Sequence, residues 1–262
     1  MSSEGKTGTA GRTLTLGEIE VPRIGLGTNR LSHTPEHVAF VQEAVAAGIR
    51  VIDTAHTYAG GESETTIGEA LSPLPADVVV ATKGGWNDGR PEAIRAQIDE
   101  SLRRLRTDSI ALYYLHRPDP KVPIEESLGA IREERDSGKI RSVGISQVDV
   151  EQIERARQVV PIAAVQNHYS LSERAHESVL DYCAREGIAF VPFFPLRGVS
   201  GPTLGELAER RGVTAEQIAL AWLLGQAPVT LPIPGTLSTE HLHENLAALE
   251  LELSEAELHA LA

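Results

Sequence analysis

One cysteine, Cys183, stands in 262 residues. A lone thiol cannot close an internal disulfide, and nothing in the cysteine content favours an oxidising compartment. Basic runs are missing too: 24 Lys and Arg residues face 37 Asp and Glu, a formal net charge of −13. A phosphate-backbone binder needs a basic patch to release counterions, so no nucleic-acid partner is expected. The longest apolar runs, Ile218–Leu224 and the proline-interrupted Ala189–Leu196, fall far short of the ~20 residues of a membrane helix, and no membrane partner is expected. His33 and His37 lie four apart around a proline, His241 and His243 two apart on a helix where they share no face, and no third ligand matches either pair. No metal is expected. Residues 1–14 are small, polar and glycine-rich with no signal-like apolar stretch behind them, which reads as a flexible N-terminal tail of a cytoplasmic protein.

What is present is enough for a large core. The hydrophobic set makes up 41% of the chain, with 23 glycines besides. The length suits two ordinary domains or one α/β barrel of about 250 residues. After a short hairpin (Thr13–Leu16, then Glu20–Pro22, with Gly17 in the turn) come eight strand-length bursts. They are Arg23–Gly27, Val51–Asp53, Val78–Lys83, Ile110–His116, Ile140–Ser146, Ile162–Asn167, Ala189–Phe194 and Val229–Ile233. Helical patterns fall between them at Glu36–Ala47, Glu64–Leu71, Pro91–Leu105, Ile124–Ser137, Val150–Val159, Glu173–Glu186, Leu204–Ala227 (broken at Gly212) and Thr239–Ala248, with a last short helix at Ser254–Ala262. Gly48, Gly138 and Gly187 mark helix ends, Pro91 and Ser172 helix starts. Strands alternating with helices, each apolar enough to be covered on both sides, describe a parallel sheet, and eight of them predict closure. The fold expected is α/β, a single (β/α)8 TIM barrel over 15–262 with a short N-terminal β-hairpin and extra C-terminal helices. A doubly wound dinucleotide fold is disfavoured, because Gly25-Leu26-Gly27 lacks the third glycine and no helix follows at once.

In such a barrel all C-terminal strand ends open onto one face. Those ends carry Asp53, Lys83, His116, Ser146, Gln166 with Asn167, and, beyond the last strand, Gly235 with Thr236. Tyr58 follows Asp53 by five residues. A tyrosine with a pKa near 10 is a poor acid at neutral pH, but an adjacent ammonium stabilises its phenolate and makes the hydroxyl a better proton donor. Lys83 would supply that ammonium, Asp53 would hold it charged and oriented, and His116 would position a carbonyl oxygen.

These segments resemble the aldo-keto reductase family over almost the whole chain. The stretch Gly48–Tyr58 (GIRVIDTAHTY) is similar to the family's segment with its catalytic Asp and Tyr, Ala81–Lys83 (ATK) to that with its Lys, and Tyr114–His116 (YLH) to that with its His. Val143–Ser146, Val165–Asn167, Ile233–Thr236 and Glu244-Asn245 resemble its cofactor-binding stretches. Phe190–Leu196 and Ala219–Leu224 look most like bacterial members related to pyridoxal reductases. The resemblance implies NAD(P)H-dependent reduction of an aldehyde or ketone, hydride passing from the nicotinamide and the proton from Tyr58. It implies a catalytic set of Asp53, Tyr58, Lys83 and His116. Its cofactor set is Gly27, Thr28, Asp53, Ser146, Gln147, Gln166, Phe193 as the ring-stacking aromatic, Leu196, Arg197, Pro234, Gly235, Thr236, His241, Glu244 and Asn245.

Two departures matter. Ser146 is followed by Gln147 where the family usually has Asn, and the Lys and Arg often used on the adenosine 2′-phosphate correspond to Gly235 and His241. Losing two cations weakens a charge-assisted phosphate site, yet a helix N-terminus after Thr236 and the cation of Arg197 can replace them. NADP(H) is favoured, with NAD(H) left open. The loops His116–Pro123 and Pro195–Pro202 are short, which predicts a shallow, open substrate site lined by Trp86 or with Trp86 packed beneath its rim. Of Tyr113 and Tyr114, one should face the barrel and one the helices; His56 reads as a solvated loop residue. The negative charge is expected on the outer helices, away from the mouth, and the protein as a monomer or weak homo-oligomer. Two rival readings stay open: a Schiff-base aldolase using Lys83, which an adjacent Asp53 disfavours, and a non-catalytic NADP(H)-binding or sensing subunit.

Overall fold

The structure, a computed structural model, describes residues 11–261. Most of the expected tail, residues 1–10, lies outside the described residues, as does Ala262. Thr13 and Leu14 belong not to a tail but to strand β1 (Thr13–Leu16), which pairs antiparallel with β2 (Ile19–Pro22). Gly17 turns the chain between them at φ 66°. Leu16 and Val21 of this hairpin are buried with Val51, Val79 and Leu112 from the inner face of the main sheet.

The main sheet has seven parallel strands in sequence order: β3 (Leu26–Gly27), β4 (Val51–Asp53), β5 (Val79–Gly84), β6 (Ile110–Leu115), β7 (Ile140–Ser146), β8 (Ile162–Gln166) and β9 (Ala189–Phe190). Helices α1 (Pro35–Ala46), α2 (Glu62–Leu71), α3 (Pro91–Leu105), α4 (Ile124–Asp136), α5 (Val150–Arg157) and α6 (Glu177–Glu186) return the chain between strands. After β9 come α7 (Pro202–Arg211), α8 (Ala215–Gln226), α9 (Thr239–Ala247) and α10 (Glu255–Ala260). Pro91 opens α3 at its first position, and Gly48, Gly138 and Gly187 all take positive φ where helices end. None of the described helices is long and apolar enough to cross a membrane.

The alternation of side chains along a strand separates two cores. Tyr114 packs inside with Val51, Ala81 and Leu231, while its neighbour Tyr113 packs outward among helix residues such as Ile94, Ile98 and Leu128.

Three expectations need correction. The burst at Val229–Ile233 does not form a regular strand. Pro232 and Pro234 have no N–H to donate, so the segment makes isolated parallel bridges, Phe190 to Thr230 on one side and Gly27 to Gly235 on the other. The prolines still accept: Gly25 N donates to Pro232 O at 3.0 Å and Gly27 N to Pro234 O at 3.1 Å. Likewise β9 stops at Phe190, short of Pro192, although Phe193 N still reaches Asn167 O at 3.1 Å. Finally, Ser172 starts no helix. Ser170 and Glu173 exchange backbone hydrogen bonds, Ser172 Oγ donates to Arg197 O, and α6 begins at Glu177.

Candidate active site

Parallel strands deliver their last residues to one end of the sheet, and there the polar residues converge. Lys83 near the end of β5 is fully buried, and its Nζ donates to Asp53 Oδ1 at 2.5 Å and to Thr54 O at 2.7 Å. The same Nζ lies 3.4 Å from Tyr58 Oη. Gln166 Nε2 at the end of β8 donates to the other Asp53 oxygen at 2.7 Å, so both carboxylate oxygens are engaged. Thr28 secures the carbonyl of Asp53 through its amide and its hydroxyl, at 3.0 and 2.8 Å.

The environment sets the protonation states. Burial pulls the Lys83 ammonium down, but the charges of Asp53 and Tyr58 outweigh it and hold its pKa above the ordinary lysine value. Burial raises the Asp53 carboxyl against the pull of Lys83. His116 is driven down to about 2 by burial, with the nearby Lys83 and Arg117 cations adding to the effect. It is therefore a neutral imidazole at physiological pH. Its ring stands 5.9 Å from that of Tyr58 and 4.6 Å from that of Trp86, and its buried Nδ1 has no partner among the described residues.

These groups open onto one cavity of about 730 Å³. Of the residues expected to serve cofactor or catalysis, Gly27, Thr28, Asp53, Tyr58, His116, Ser146, Gln147, Gln166, Phe193, Leu196, Arg197, Pro234 and Gly235 line it. Lys83 sits behind Asp53 and meets the cavity only through its partners Asp53 and Tyr58. Thr236, His241, Glu244 and Asn245 do not border the cavity. Past Gly235 the chain turns into α9, where Thr236 Oγ1 accepts from Ser238 N and Ser238 caps the helix on His241 N. His241 faces solvent, Glu244 O accepts from Gln217, and Asn245 joins Leu242 on the buried face of α9.

Gln147 sits in the left-handed region at φ 58° and turns its amide back on the carbonyl of His116 at 3.2 Å. Asn167 does not line the cavity; its amide clamps the backbone N–H and C=O of Val148 at 3.1 and 2.7 Å. His56 is not a free loop residue: its Nε2 pairs with Glu100 at 2.8 Å. Trp86 is half-buried and lines the cavity, held by Arg117, whose guanidinium lies 4.4 Å from the indole and whose Nε donates to Trp86 O.

Several lining residues escaped the reading of the sequence: Asn29, Arg30, Thr57, Phe194, Pro195 and Ile233. Position alone would have found Asn29 and Phe194, which directly follow Thr28 and Phe193, residues already assigned. Arg30 and Arg197 are exposed and make no salt bridge among the described residues, whereas the one acid lining the cavity, Asp53, is neutralised by Lys83. The mouth is thus cationic on a strongly anionic protein.

The backbone approaches closely at Gly27: a Cβ there would come within 2.8 Å of Ile233 O. Such a cradle, an aromatic face at Phe193, inward polar groups at Ser146 and Gln166, and exposed arginines at the rim fit a dinucleotide laid across the strand ends.

Comparison with known proteins agrees with this geometry. A model described as the Aldo/keto reductase family matches residues 23–201 and 199–262. Pyridoxine 4-dehydrogenase of Escherichia coli is 36% identical over 277 residues, covering 95% of this chain and 96% of that protein. An oxidoreductase of Schizosaccharomyces pombe is 37% identical over 264 residues, covering 92% of this chain and 86% of its own length. A crystal structure of an aldo/keto reductase from Klebsiella pneumoniae in complex with NADP and acetate superposes with a TM-score of 0.87 at 32% identity, covering 95% of this chain and 94% of the other.

Proposed function

The chain belongs to the aldo/keto reductase family, and from that membership we propose that it reduces an aldehyde or ketone to an alcohol with NADPH, Tyr58 donating the proton. The observation that carries the assignment is the buried ion pair of Lys83 and Asp53, with the ammonium 3.4 Å from the Tyr58 hydroxyl at the floor of the cavity. NADPH, when bound, supplies a hydride to the carbonyl carbon.

The residues of the chain do the rest. As the carbonyl oxygen gains charge, Tyr58 transfers its proton to it, and Lys83 stabilises the phenolate left behind. Asp53 keeps Lys83 charged, and Gln166 fixes the carboxylate that does so. His116, neutral and half-covered by Trp86, orients the carbonyl oxygen by hydrogen bonding without competing with Tyr58 as an acid. Phe193 offers a ring face, Gly27 the close backbone, Ser146 and Gln166 the polar contacts for the carboxamide, and Arg30 and Arg197 the cations for the phosphates. Those two arginines support NADPH over NADH despite Gly235 and His241.

We read residues 229–235 as the eighth stave that closes the barrel, on the strength of their bridges to Phe190 and Gly27. The protein acts as a monomer or weak homo-oligomer in the cytoplasm; Phe194 and Leu237 are the exposed large apolar side chains among the described residues, too few for an extensive interface. A Schiff base at Lys83 is disfavoured by its ion pair with Asp53, which holds the ammonium protonated against the effect of burial, because a nucleophilic lysine must be deprotonated. The test is NADPH oxidation over a panel of aldehydes and ketones that includes pyridoxal. Turnover of at least one carbonyl compound supports the proposal; binding of NADPH with no turnover of any of them supports the sensing subunit instead.

A further inference from the structure

Tyr58 is presented by a backbone that needs outside support. The three residues after it all lie in the left-handed region: Ala59 at φ 48°, Gly60 at 64° and Gly61 at 99°. Alanine resists that region because its Cβ crowds the backbone, and two glycines in succession give the loop many alternatives. Yet the phenol must stay near Lys83 Nζ.

The support comes from the outer helix α3. Arg104 Nη1 donates to His56 O at 3.0 Å and to Glu64 at 3.2 Å, while its Nη2 donates to Glu100 at 2.8 Å. Glu100 in turn pairs with His56 Nε2 at 2.8 Å, and His56 N donates to Lys83 O at 3.0 Å. His56, two residues before Tyr58, is therefore fixed at its amide, its carbonyl and its ring. Glu64 is fully buried and also accepts from Thr82 Oγ1 at 2.6 Å, which ties α2 to the residue beside Lys83. On the far side of Tyr58, Gly61 lies against the Arg104 guanidinium so closely that any Cβ would overlap it. One planar cation thus braces the loop on both sides of the phenol.

We propose that Arg104 is a positioning residue for Tyr58: its guanidinium, bridging His56 O, Glu64 and Glu100 and packing on Gly61, holds the loop in the conformation that puts the phenol beside Lys83. This rests on the role of Tyr58 proposed above. A loss of about 1 Å in the placement of a reacting group costs on the order of a hundredfold in rate, so an anchor outside the cavity can govern turnover without touching substrate or cofactor.

The experiment compares the wild type with Arg104→Met, Arg104→Lys and the double variant Glu64→Gln/Arg104→Met, which removes the buried carboxylate that the single variant would strand. Arg104→Met and the double variant should lose roughly ten- to a hundredfold in kcat, with the NADPH Kd from fluorescence quenching within about twofold. Amide exchange at Tyr58 and Gly60 should quicken while that of the strand amides holds, and the double variant should regain Tm without regaining kcat. Arg104→Lys, which keeps the charge but loses the fork, should recover only part. Wild-type kcat and loop exchange in the double variant would overturn the proposal. So would exchange that quickens uniformly across the sheet with a parallel loss of NADPH affinity. The exchange arm reads the brace directly, so it stands apart from any failure of Tyr58 as proton donor.

Discussion

Lys83 and Asp53 meet at 2.5 Å with both side chains out of solvent, and neither has a free direction in which to turn. The ammonium is bound also by the Thr54 carbonyl and the second carboxylate oxygen by Gln166. A buried pair of this kind is a poor source of stability, since desolvation offsets much of the attraction. What it provides is a fixed cation beside Tyr58.

Breaking the pair from one side is therefore expected to be expensive. Lys83→Met leaves a buried carboxylate with no counter-charge and should destabilise the fold by about 3–5 kcal/mol. Lys83→Met/Asp53→Asn removes both charges and should recover most of that loss, with turnover abolished in each. Urea unfolding of the three proteins checks this. Equal destabilisation of single and double variants would mean that the two groups are not coupled.

The depressed pKa of His116, about 2 in the folded protein, makes a pH prediction. In the unfolded chain the imidazole protonates at its usual ~6.5. Below that pH the unfolded state takes up a proton that the folded state refuses, so folding is favoured above ~6.5 and weakens as the pH falls toward the folded value. The slope from this one group is about 1.4 kcal/mol per pH unit. Unfolding free energies measured at descending pH should fall more steeply for the wild type than for His116→Asn by roughly that amount. The kcat profile should show no limb at the ordinary imidazole pKa.

Arg23 is buried without a carboxylate among the described residues; its guanidinium donates to Thr230 O, Leu224 O and Ala227 O at 3.1, 2.7 and 2.5 Å. It joins the start of the sheet to the end of α8 and to the bridging segment after it. Arg23→Met strands the Thr230 and Leu224 carbonyls, whereas Ala227 O keeps the Thr230 amide; each buried, unpaired carbonyl costs about 1–3 kcal/mol. A loss of at least about 2 kcal/mol is expected in urea unfolding. NADPH affinity in the surviving native protein should change little.

Arg197 carries the prediction for the cofactor. Exposed at the rim and free of salt bridges among the described residues, it is a cation available to a phosphate. Arg197→Ala should weaken NADPH binding by about tenfold, close to 1.4 kcal/mol, and flatten its salt dependence. Fluorescence titration at two ionic strengths reads both. Unchanged affinity would place the phosphates elsewhere.

The strand ends were the most legible part of this site. Asp53, Lys83, His116, Ser146 and Gln166 each close an apolar burst, and a parallel sheet has no choice but to gather them. The eighth strand was less legible because hydropathy does not register that Pro232 and Pro234 cannot donate to a ladder. Ser172 looked like a helix cap, but its hydroxyl is taken by Arg197 O, a partner distant in sequence. Thr236, His241, Glu244 and Asn245 were placed by motif alone, which does not say how far the cavity extends past Gly235. The brace formed by Arg104, Glu100 and Glu64 left no trace in local pattern. On their helices these are ordinary charged residues, and only the packing of α2 and α3 against the loop of Tyr58 gives them a common task.

Tyr58→Phe reads the role of Tyr58 as proton donor without an intermediary. With an aldehyde that the wild type reduces, the variant should lose on the order of 10²–10⁴-fold in kcat, the usual reach of a general acid, while its NADPH Kd stays within about twofold. A variant that keeps wild-type kcat would contradict the account.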